Sequence, residues 1–270
     1  MRSSDTILKC TSVRKAFGGV VAVDVDQLEI QRQGITALIG PNGAGKTTFF
    51  DIITGFVTPD SGTINFDEAD ISGKPAYSIA RSGLVRTFQL TRILGKMTVL
   101  ENMLLAAPNQ SGEQVLNTFF GRRTITQQET ANRERAMDLL GRFSLLPLAN
   151  EYAGRLSGGQ KKLLELARTL MTDPTLVLLD EPMAGVNPAL GEQLLSYVLE
   201  LRDEGTTFLF VEHDMDIVMR ISDRVVVMAT GAIIADGSPD EVRSDPKVLA
   251  AYLGEHAEED LAEAEREVEP

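Results

Sequence analysis

The stretch Ile35-Thr36-Ala37-Leu38-Ile39-Gly40-Pro41-Asn42-Gly43-Ala44-Gly45-Lys46-Thr47-Thr48 decides the fold of this chain. Residues 35–39 are an apolar run typical of a buried strand, and the GxxxxGK[ST] pattern follows directly. Glycines 40, 43 and 45 accept positive φ and lack a Cβ, so consecutive backbone N–H groups can surround phosphate oxygens where a helix begins. The sequence therefore predicts a nucleoside triphosphate site on a strand–loop–helix unit.

Each residue of this loop is a candidate for phosphate binding. The candidates are Gly40, Pro41, Asn42, Gly43, Ala44, Gly45, Lys46, Thr47 and Thr48. Lys46 would reach the β- and γ-phosphates, where its charge would support catalysis as well as binding. Thr47 would offer its hydroxyl to Mg²⁺, so the predicted cofactor is a triphosphate with magnesium.

A second buried run, Leu176–Leu179, ends in two adjacent carboxylates, Asp180 and Glu181. Open α/β sheets bind ligands at the carboxyl ends of their strands, and Pro182 ends the strand ladder at once. We expect Asp180 to hold Mg²⁺, through water, and Glu181 to polarise the water that attacks the γ-phosphate. Taken alone, such a pair could simply be solvated; beside the phosphate-binding loop, the functional interpretation is favoured.

The hydrophobic patterning indicates an α/β fold: a P-loop NTPase core with a mostly parallel sheet, an antiparallel β subdomain and a helical subdomain. Short alternating runs in residues 7–31 and 62–66 predict antiparallel strands, and a further strand is expected at 84–88. Continuous apolar runs at 176–179, 208–211 and 225–228 predict parallel strands separated by helices at 188–202 and 214–221. A capping box at Thr98 and one-faced patterning across 112–146 predict a helical insert.

Composition sets the broad class of the protein. With 270 residues and 43% hydrophobic content, we expect one globular domain at residues 1–254, with the helical insert at about 90–155. Residues 255–270 carry eight acidic residues against one arginine, over half of the net charge of −13, and are predicted to be a disordered tail. No apolar run approaches the length that a membrane-spanning helix needs. Cys10 is the single cysteine, so an internal disulfide is excluded. The sequence also lacks the basic stripe that would indicate nucleic-acid binding.

A third motif, Leu156-Ser157-Gly158-Gly159-Gln160, precedes an amphipathic helix and places Ser157 at its N-cap. A second anion site or a simple helix cap would both fit this motif alone. Its order after the phosphate-binding loop and Gln89, and before Asp180-Glu181 and His213, decides the matter. In that order the motifs resemble the ATP-binding subunit of ABC transporters across residues 5–254.

The resemblance assigns further roles by position. In such proteins ATP lies between the phosphate-binding loop of one subunit, called Walker A and here residues 40–48, and the signature motif of its partner, here residues 156–160. The signature residues Ser157, Gly158, Gly159 and Gln160 would therefore bind the nucleotide of a second ABC subunit, identical or not. Phe17 would stack on adenine. Gln89 would sense the γ-phosphate and Mg²⁺, and His213 would contact the γ-phosphate and support Glu181. Asn187 stands where many members carry an aspartate in a loop that crosses the dimer interface.

A narrower resemblance indicates the ATP-binding subunits of branched-chain amino acid importers. It rests on residues 85–89, 184–188, 211–215 and 251–254. It implies multi-span permease subunits, indirectly a solute-binding protein, and a peripheral position on the cytoplasmic face of the membrane. Urea-import and lipopolysaccharide-export ATPases share part of the pattern and remain alternatives. A soluble ATPase of iron–sulfur cluster assembly would usually end the signature in Glu rather than Gln160, and a GTPase would carry an NKxD motif, which this sequence lacks.

Overall fold

The computed structural model describes residues 5–87, 93–108 and 122–252, with the side chains of 122–125 left out. Gln89 and the acidic tail therefore lie outside the described residues. The strands are β1 (Thr6–Phe17), β2 (Val20–Gln31), β3 (Ile35–Ile39), β4 (Ser61–Phe66), β5 (Ala69–Asp70), β6 (Leu84–Arg86), β7 (Leu176–Asp180), β8 (Thr207–Val211), β9 (Arg224–Ala229) and β10 (Ala232–Gly237). The helices are α1 (Lys46–Ile53), α2 (Ala76–Arg81), α3 (Val99–Leu105), α4 (Arg122–Arg142), α5 (Gly158–Leu170), α6 (Pro188–Asp203), α7 (Met215–Ile221) and α8 (Pro239–Arg243).

The larger sheet has the strand order β10-β9-β3-β8-β7-β6 and is parallel except for β10. Every residue of β3, β7 and β8 is buried, because helices cover both faces of the sheet. The predicted parallel strands are confirmed. The strand predicted at 84–88 ends earlier, at Arg86, although the Thr87 N–H still donates to the Leu178 carbonyl oxygen at 2.9 Å.

The antiparallel edge strand β10 was not predicted from the sequence. It pairs with β9 through a two-residue turn in which Thr230 and Gly231 both have positive φ, 47° and 85°. Such a turn usually carries Asn-Gly or Asp-Gly, and Thr-Gly gives a weaker signal. The turn residues Thr230 and Gly231 therefore did not reveal the β9–β10 hairpin that the structure contains.

The smaller sheet is antiparallel, with the order β2-β1-β4-β5, as predicted. It forms two long strands of 12 residues in place of several short ones. Helix α1 packs between the two sheets, because Phe49 and Phe50 share one apolar cluster with Cys10 of β1 and Leu178 of β7. This packing fixes the start of α1 at the edge of the larger sheet.

A second apolar cluster covers the opposite face of the larger sheet and extends into the helical insert. Successive residues of β7 alternate between the clusters, with Val177 on the helical face and Leu178 on the α1 face. In α4, Ala136 and Leu140 are fully buried and Leu139 is partly buried, and Phe143, directly after the helix, is fully buried as well, which confirms the predicted one-faced helix. The predicted capping box is present, since the Thr98 side chain accepts from the Glu101 N–H.

Candidate functional site

Strand order brings three chain segments to one edge of the larger sheet. Strand β8 pairs with β3 on one side and with β7 on the other, with Leu38 and Asp180 both opposite Val211. Gly40 follows β3, Glu181 follows β7, and His213 lies two residues after β8. The carboxyl ends of these parallel strands thus gather the predicted loop, the carboxylate pair and the histidine, at the position where open α/β sheets bind ligands.

The glycines of the loop serve two different purposes. A Cβ on Gly40 would lie 2.0 Å from the Met228 carbonyl oxygen, and one on Gly45 would lie 2.2 Å from that of Ala22. Both glycines also have positive φ, so the backbone of neighbouring strands requires glycine there. A Cβ on Gly43 would meet open space, although its φ of 73° still favours glycine. Gly40 lets the loop approach β9 of the larger sheet, and Gly45 lets it approach β2 of the smaller sheet. Gly43 faces open space.

Lys46 lies inside the curve of this loop. Its side chain is nearly buried, and the ammonium donates to the Gly40 and Pro41 carbonyl oxygens at 2.6 and 2.9 Å. The positive charge is therefore held where Gly40–Thr48 would enclose an anion, and the N-terminus of α1 adds a partial positive charge. Thr47, the next residue, is exposed at the first turn of the helix.

Asp180 is bound to an arginine that the sequence did not single out. Arg86, at the end of β6, donates from Nη2 to Asp180 Oδ2 and from Nη1 to Asp51 Oδ1, each at 2.5 Å. The side chains of Arg86 and Asp180 are only 6% and 4% exposed, and the guanidinium lies 5.6 Å from the centroid of the Phe50 ring. One buried cation therefore connects strand β7, which ends at the predicted metal ligand Asp180, to helix α1, which follows the phosphate loop.

Glu181 faces His213 across the sheet edge. Its Oε1 lies 3.0 Å from His213 Nε2, and its backbone N–H donates to the Val211 carbonyl oxygen at 3.0 Å. Glu181 adopts φ of 47°, a left-handed conformation that is uncommon for a residue other than glycine. The two predicted catalytic side chains are thus in direct contact, on a backbone that the neighbouring strand constrains.

The signature lies at the exposed start of α5. Ser157 and Gln160 form a reciprocal capping box, and their side chains make no hydrogen bond to another predicted site residue in the described part of the chain. A Cβ on Gly159 would lie 1.4 Å from Leu190 Cδ2, so α6 packs closely on this turn and a larger residue there would displace the Leu190 side chain. Asn187 caps α6 by accepting from the Leu190 N–H at 3.0 Å, a role that needs no charge.

Phe17 lies at the end of β1 on the smaller sheet. Its side chain is 51% exposed, and the Lys15 ammonium lies 5.5 Å from the ring centroid. A large aromatic ring left open to solvent can stack on a base. The Phe17 ring is therefore accessible from solvent, and its role toward adenine stays a prediction.

The residues present fit a magnesium ion with a triphosphate. The Thr47 hydroxyl and the Asp180 carboxylate are hard oxygen donors, and Mg²⁺ typically takes one or two protein ligands together with phosphate oxygens and water. No group of three or more histidine, cysteine, aspartate or glutamate side chains able to hold a metal occurs among the described residues. Two hard oxygen donors from the protein leave coordination positions for phosphate oxygens and water, which suits a metal shared with a nucleotide.

Sequence comparisons agree with this geometry. The family model of the ABC transporter matches residues 23–184, and that of the branched-chain amino acid ATP-binding cassette transporter matches residues 232–258. A probable branched-chain amino acid transport ATP-binding protein, LivG of Archaeoglobus fulgidus, is 43% identical over 92% of this chain and 95% of its own length. The high-affinity branched-chain amino acid transport ATP-binding protein BraF of Pseudomonas aeruginosa is 42% identical over 93% and 99%.

Solved structures give the same result for the fold. An ATP-binding cassette of an ABC transporter in its ADP conformation is 41% identical, with a TM-score of 0.80 over 93% of this chain and all of its own. A nucleotide-free ATP-binding cassette is also 41% identical, with a TM-score of 0.79 over 92% and 98%. The α/β fold with two added subdomains is therefore confirmed.

Proposed function

The chain belongs to the ABC transporter family of ATP-binding subunits, and on that basis we propose that it powers the import of branched-chain amino acids through partner permease subunits. ATP hydrolysis coupled to transport follows from the family. The contact between Glu181 and His213 at 3.0 Å, beside the loop of Gly40–Thr48, is the observation that carries the hydrolytic role. Both the C-terminal family match and the named relatives favour branched-chain amino acids over urea or lipopolysaccharide.

The loop and Lys46 bind the phosphates in this proposal. The Lys46 ammonium gives up its hydrogen bonds to the Gly40 and Pro41 carbonyl oxygens and donates to phosphate oxygens instead. Phe17 stacks on adenine, and Gln89, which lies outside the described residues, contacts the γ-phosphate. The signature residues Ser157–Gln160 of one subunit close over the nucleotide of a second ABC subunit. Mg²⁺, when held by Thr47 and Asp180, would neutralise charge on the phosphoryl oxygens.

Glu181 and His213 orient and activate the attacking water. With Nε2 protonated, His213 donates to Glu181 Oε1 and holds the carboxylate in one orientation. The other carboxylate oxygen can then accept a proton from water aligned with the γ-phosphate. The strained backbone at Glu181 supports this role, because residues held in sparsely populated conformations cluster at functional sites.

We further propose that residues 1–254 form the ABC domain with its helical insert at 90–155, and that residues 255–270 are a separate acidic tail. Among the described residues, no helix has the length and apolar content needed to cross a bilayer. Attachment to the cytoplasmic face of the membrane would then depend on permease subunits. Purification of the assembled complex tests the whole proposal: leucine with a solute-binding protein should stimulate its ATPase activity, and urea should not.

We place the permease-docking surface beside Leu94. Ile93 is partly buried and packs against the core of the helical face, whereas the Leu94 side chain is 45% exposed. The buried Asn102 fixes the Leu94 backbone, because its Oδ1 accepts from the Leu94 N–H and its Nδ2 donates to the Leu94 carbonyl oxygen, at 3.0 and 3.1 Å. The Leu94 side chain is therefore accessible to a partner and held in a fixed position.

Leu94→Glu should abolish co-purification with permease subunits and leave ATP affinity and thermal stability of the isolated subunit unchanged. A charge on this surface would have to be desolvated at the interface. Leu249→Glu is the matched control, since Leu249 is 52% exposed elsewhere on the molecule, and it should still co-purify. Retention of the permease subunits by Leu94→Glu would place the docking surface elsewhere.

A further inference from the structure

Lys162 points into the loop that follows the catalytic strand, although none of the roles assigned above uses it. It lies on α5, two residues after the signature, and its Nζ donates to the Pro182 and Ala184 carbonyl oxygens at 2.8 and 2.5 Å. A third carbonyl oxygen, that of Glu181, lies at 3.4 Å. One ammonium thus gathers three carbonyl groups of the loop 181–184, which begins with the catalytic carboxylate itself.

Glu212 also holds this loop, through hydrogen bonds of its own. Its side chain is buried, its Oε1 accepts from the Met183 N–H at 2.8 Å, and its Oε2 accepts from the His213 N–H at 3.2 Å. Burial raises the pKa of Glu212, against the opposing effect of the two backbone N–H groups. This carboxylate therefore joins the loop of Glu181 to the residue that Glu181 contacts.

The side chains of α5 and the loop do not completely fill the space between them. A cavity of about 30 Å³ lies there, lined in part by Lys162, Glu165, Asp180 and Glu181. Burial lowers the pKa of Lys162, and the negative charges of Glu212, Glu165 and Glu181 oppose that shift. Beside this cavity, the hydrogen bonds of Lys162 add a polar connection between the helix and the loop.

We propose that Lys162 and Glu212 form a loop clamp that positions Glu181 for hydrolysis and ties it to the helix bearing the signature. The inference rests on the proposed ATPase role of Glu181. Glu181 holds a left-handed backbone conformation that its neighbours must enforce, and the clamp supplies hydrogen-bond partners to the loop that begins there. A displacement of α5 at its signature end reaches Glu181 through Lys162. Lys162 and Glu212 are positioning residues, because they act through Glu181.

Lys162→Met tests the clamp in the full-length chain. The variant keeps an unbranched side chain of similar length and removes the donors, so we expect kcat to fall about 10-fold while KM stays within about two-fold. Lys162→Arg should restore at least half of the lost kcat, because a guanidinium can also donate to several carbonyl oxygens. A uniform loss of folding would lower kcat in both variants and would reduce the melting temperature.

Lys161 provides a matched control on the same helix. Its ammonium makes no hydrogen bond or ion pair among the described residues, so Lys161→Met should retain wild-type kcat and KM. An unchanged kcat in Lys162→Met would overturn the clamp. The proposal would equally be wrong if Lys161→Met lost as much activity, or if Lys162→Arg failed to recover kcat while remaining folded.

Glu212→Gln tests the other half of the clamp. An amide has a single acceptor oxygen, so one of the two backbone N–H groups loses its partner, and kcat should again fall with little change in KM. Since both residues hold one loop, Lys162→Met combined with Glu212→Gln should lose much less than the product of the two separate losses. Losses that multiply would show independent action and would contradict a joint clamp.

Failure of the clamp can be separated from failure of the proposed function. Hydrolysis at the wild-type rate by Glu181→Gln would remove the catalytic role on which both depend. If Glu181→Gln is inactive but Lys162→Met turns over normally, the ATPase assignment stands and the clamp alone is wrong. Loss of kcat in both variants, with ATP affinity retained, supports both.

Discussion

Glu181→Gln is expected to lower ATP turnover at least about 100-fold while ATP still binds, since general-base catalysis typically contributes 10²–10⁴-fold. The amide keeps the size of the side chain and can still contact His213, but it cannot accept a proton from water. The phosphate loop, Lys46 and Asp180 remain unchanged, so ground-state binding survives. Steady-state hydrolysis and nucleotide titration of the purified subunit measure the two effects separately.

A surface carboxylate supplies the control for this prediction. Glu192 lies on α6 and pairs with Arg220 in a solvent-exposed ion pair at 2.9 Å, so Glu192→Gln should leave turnover unchanged. Because hydrolysis would stall with nucleotide bound, Glu181→Gln should also accumulate a dimer in the presence of ATP. Turnover comparable to that of Glu192→Gln would show that another group activates the water.

Arg86→Met is expected to lower the free energy of unfolding by about 3–5 kcal/mol, the range for removing one partner of a buried ion pair. Without the guanidinium, the Asp180 carboxylate stays buried beside a neutral side chain, and Asp51 loses the same partner. Denaturant unfolding near pH 7 measures the change. Arg142→Met, which removes an arginine bonded to Glu200 and Glu204 nearer the surface, should cost about 1 kcal/mol or less.

A second substitution separates charge from packing at this site. Adding Asp180→Asn to Arg86→Met removes the uncompensated charge, so much of the lost stability should return. If the double variant is as unstable as Arg86→Met alone, the loss arises from the cavity left by the guanidinium. A change below about 1 kcal/mol in the single variant would contradict the buried bridge itself.

The sequence predicted those parts of the site that depend on neighbouring residues. These parts lie where a strand meets a loop or a loop meets a helix, at Gly40–Thr48, Asp180-Glu181 and Ser157. Such junctions can be recognised from short sequence motifs. The edge that gathers them followed from the predicted parallel sheet. The role of Gln89 stays a prediction, because that residue lies outside the described part of the chain.

Contacts between distant residues could not be predicted in the same way. Arg86 meets Asp180 across 94 positions and Asp51 across 35, so no spacing reveals the bridge. In the sequence, Lys162 is recognisable only as part of an amphipathic helix, and Glu212 only as part of the segment 211–215 that carries the narrower resemblance. Asn187 was interpreted through the aspartate it replaces, whereas its side chain caps α6. Nearly every residue type carries a backbone N–H and C=O, so a hydrogen bond to a backbone group cannot be recognised from the identity of the partner residue.

Strand β7 lends alternate residues to the two apolar clusters, so the catalytic edge is a boundary shared by both halves of the fold. One half of the fold is the α1 side with the phosphate-binding loop, and the other is the side with the helical insert. If either half lost its packing, one apolar face of the larger sheet would be exposed, and the other half packs against the opposite face of that same sheet. The phosphate-binding half and the helical half are therefore one cooperative folding unit. Nucleotide bound at Gly40–Thr48 is therefore expected to slow amide hydrogen exchange in the distant helices α4 and α5 as well, because those helices would open only together with the common sheet.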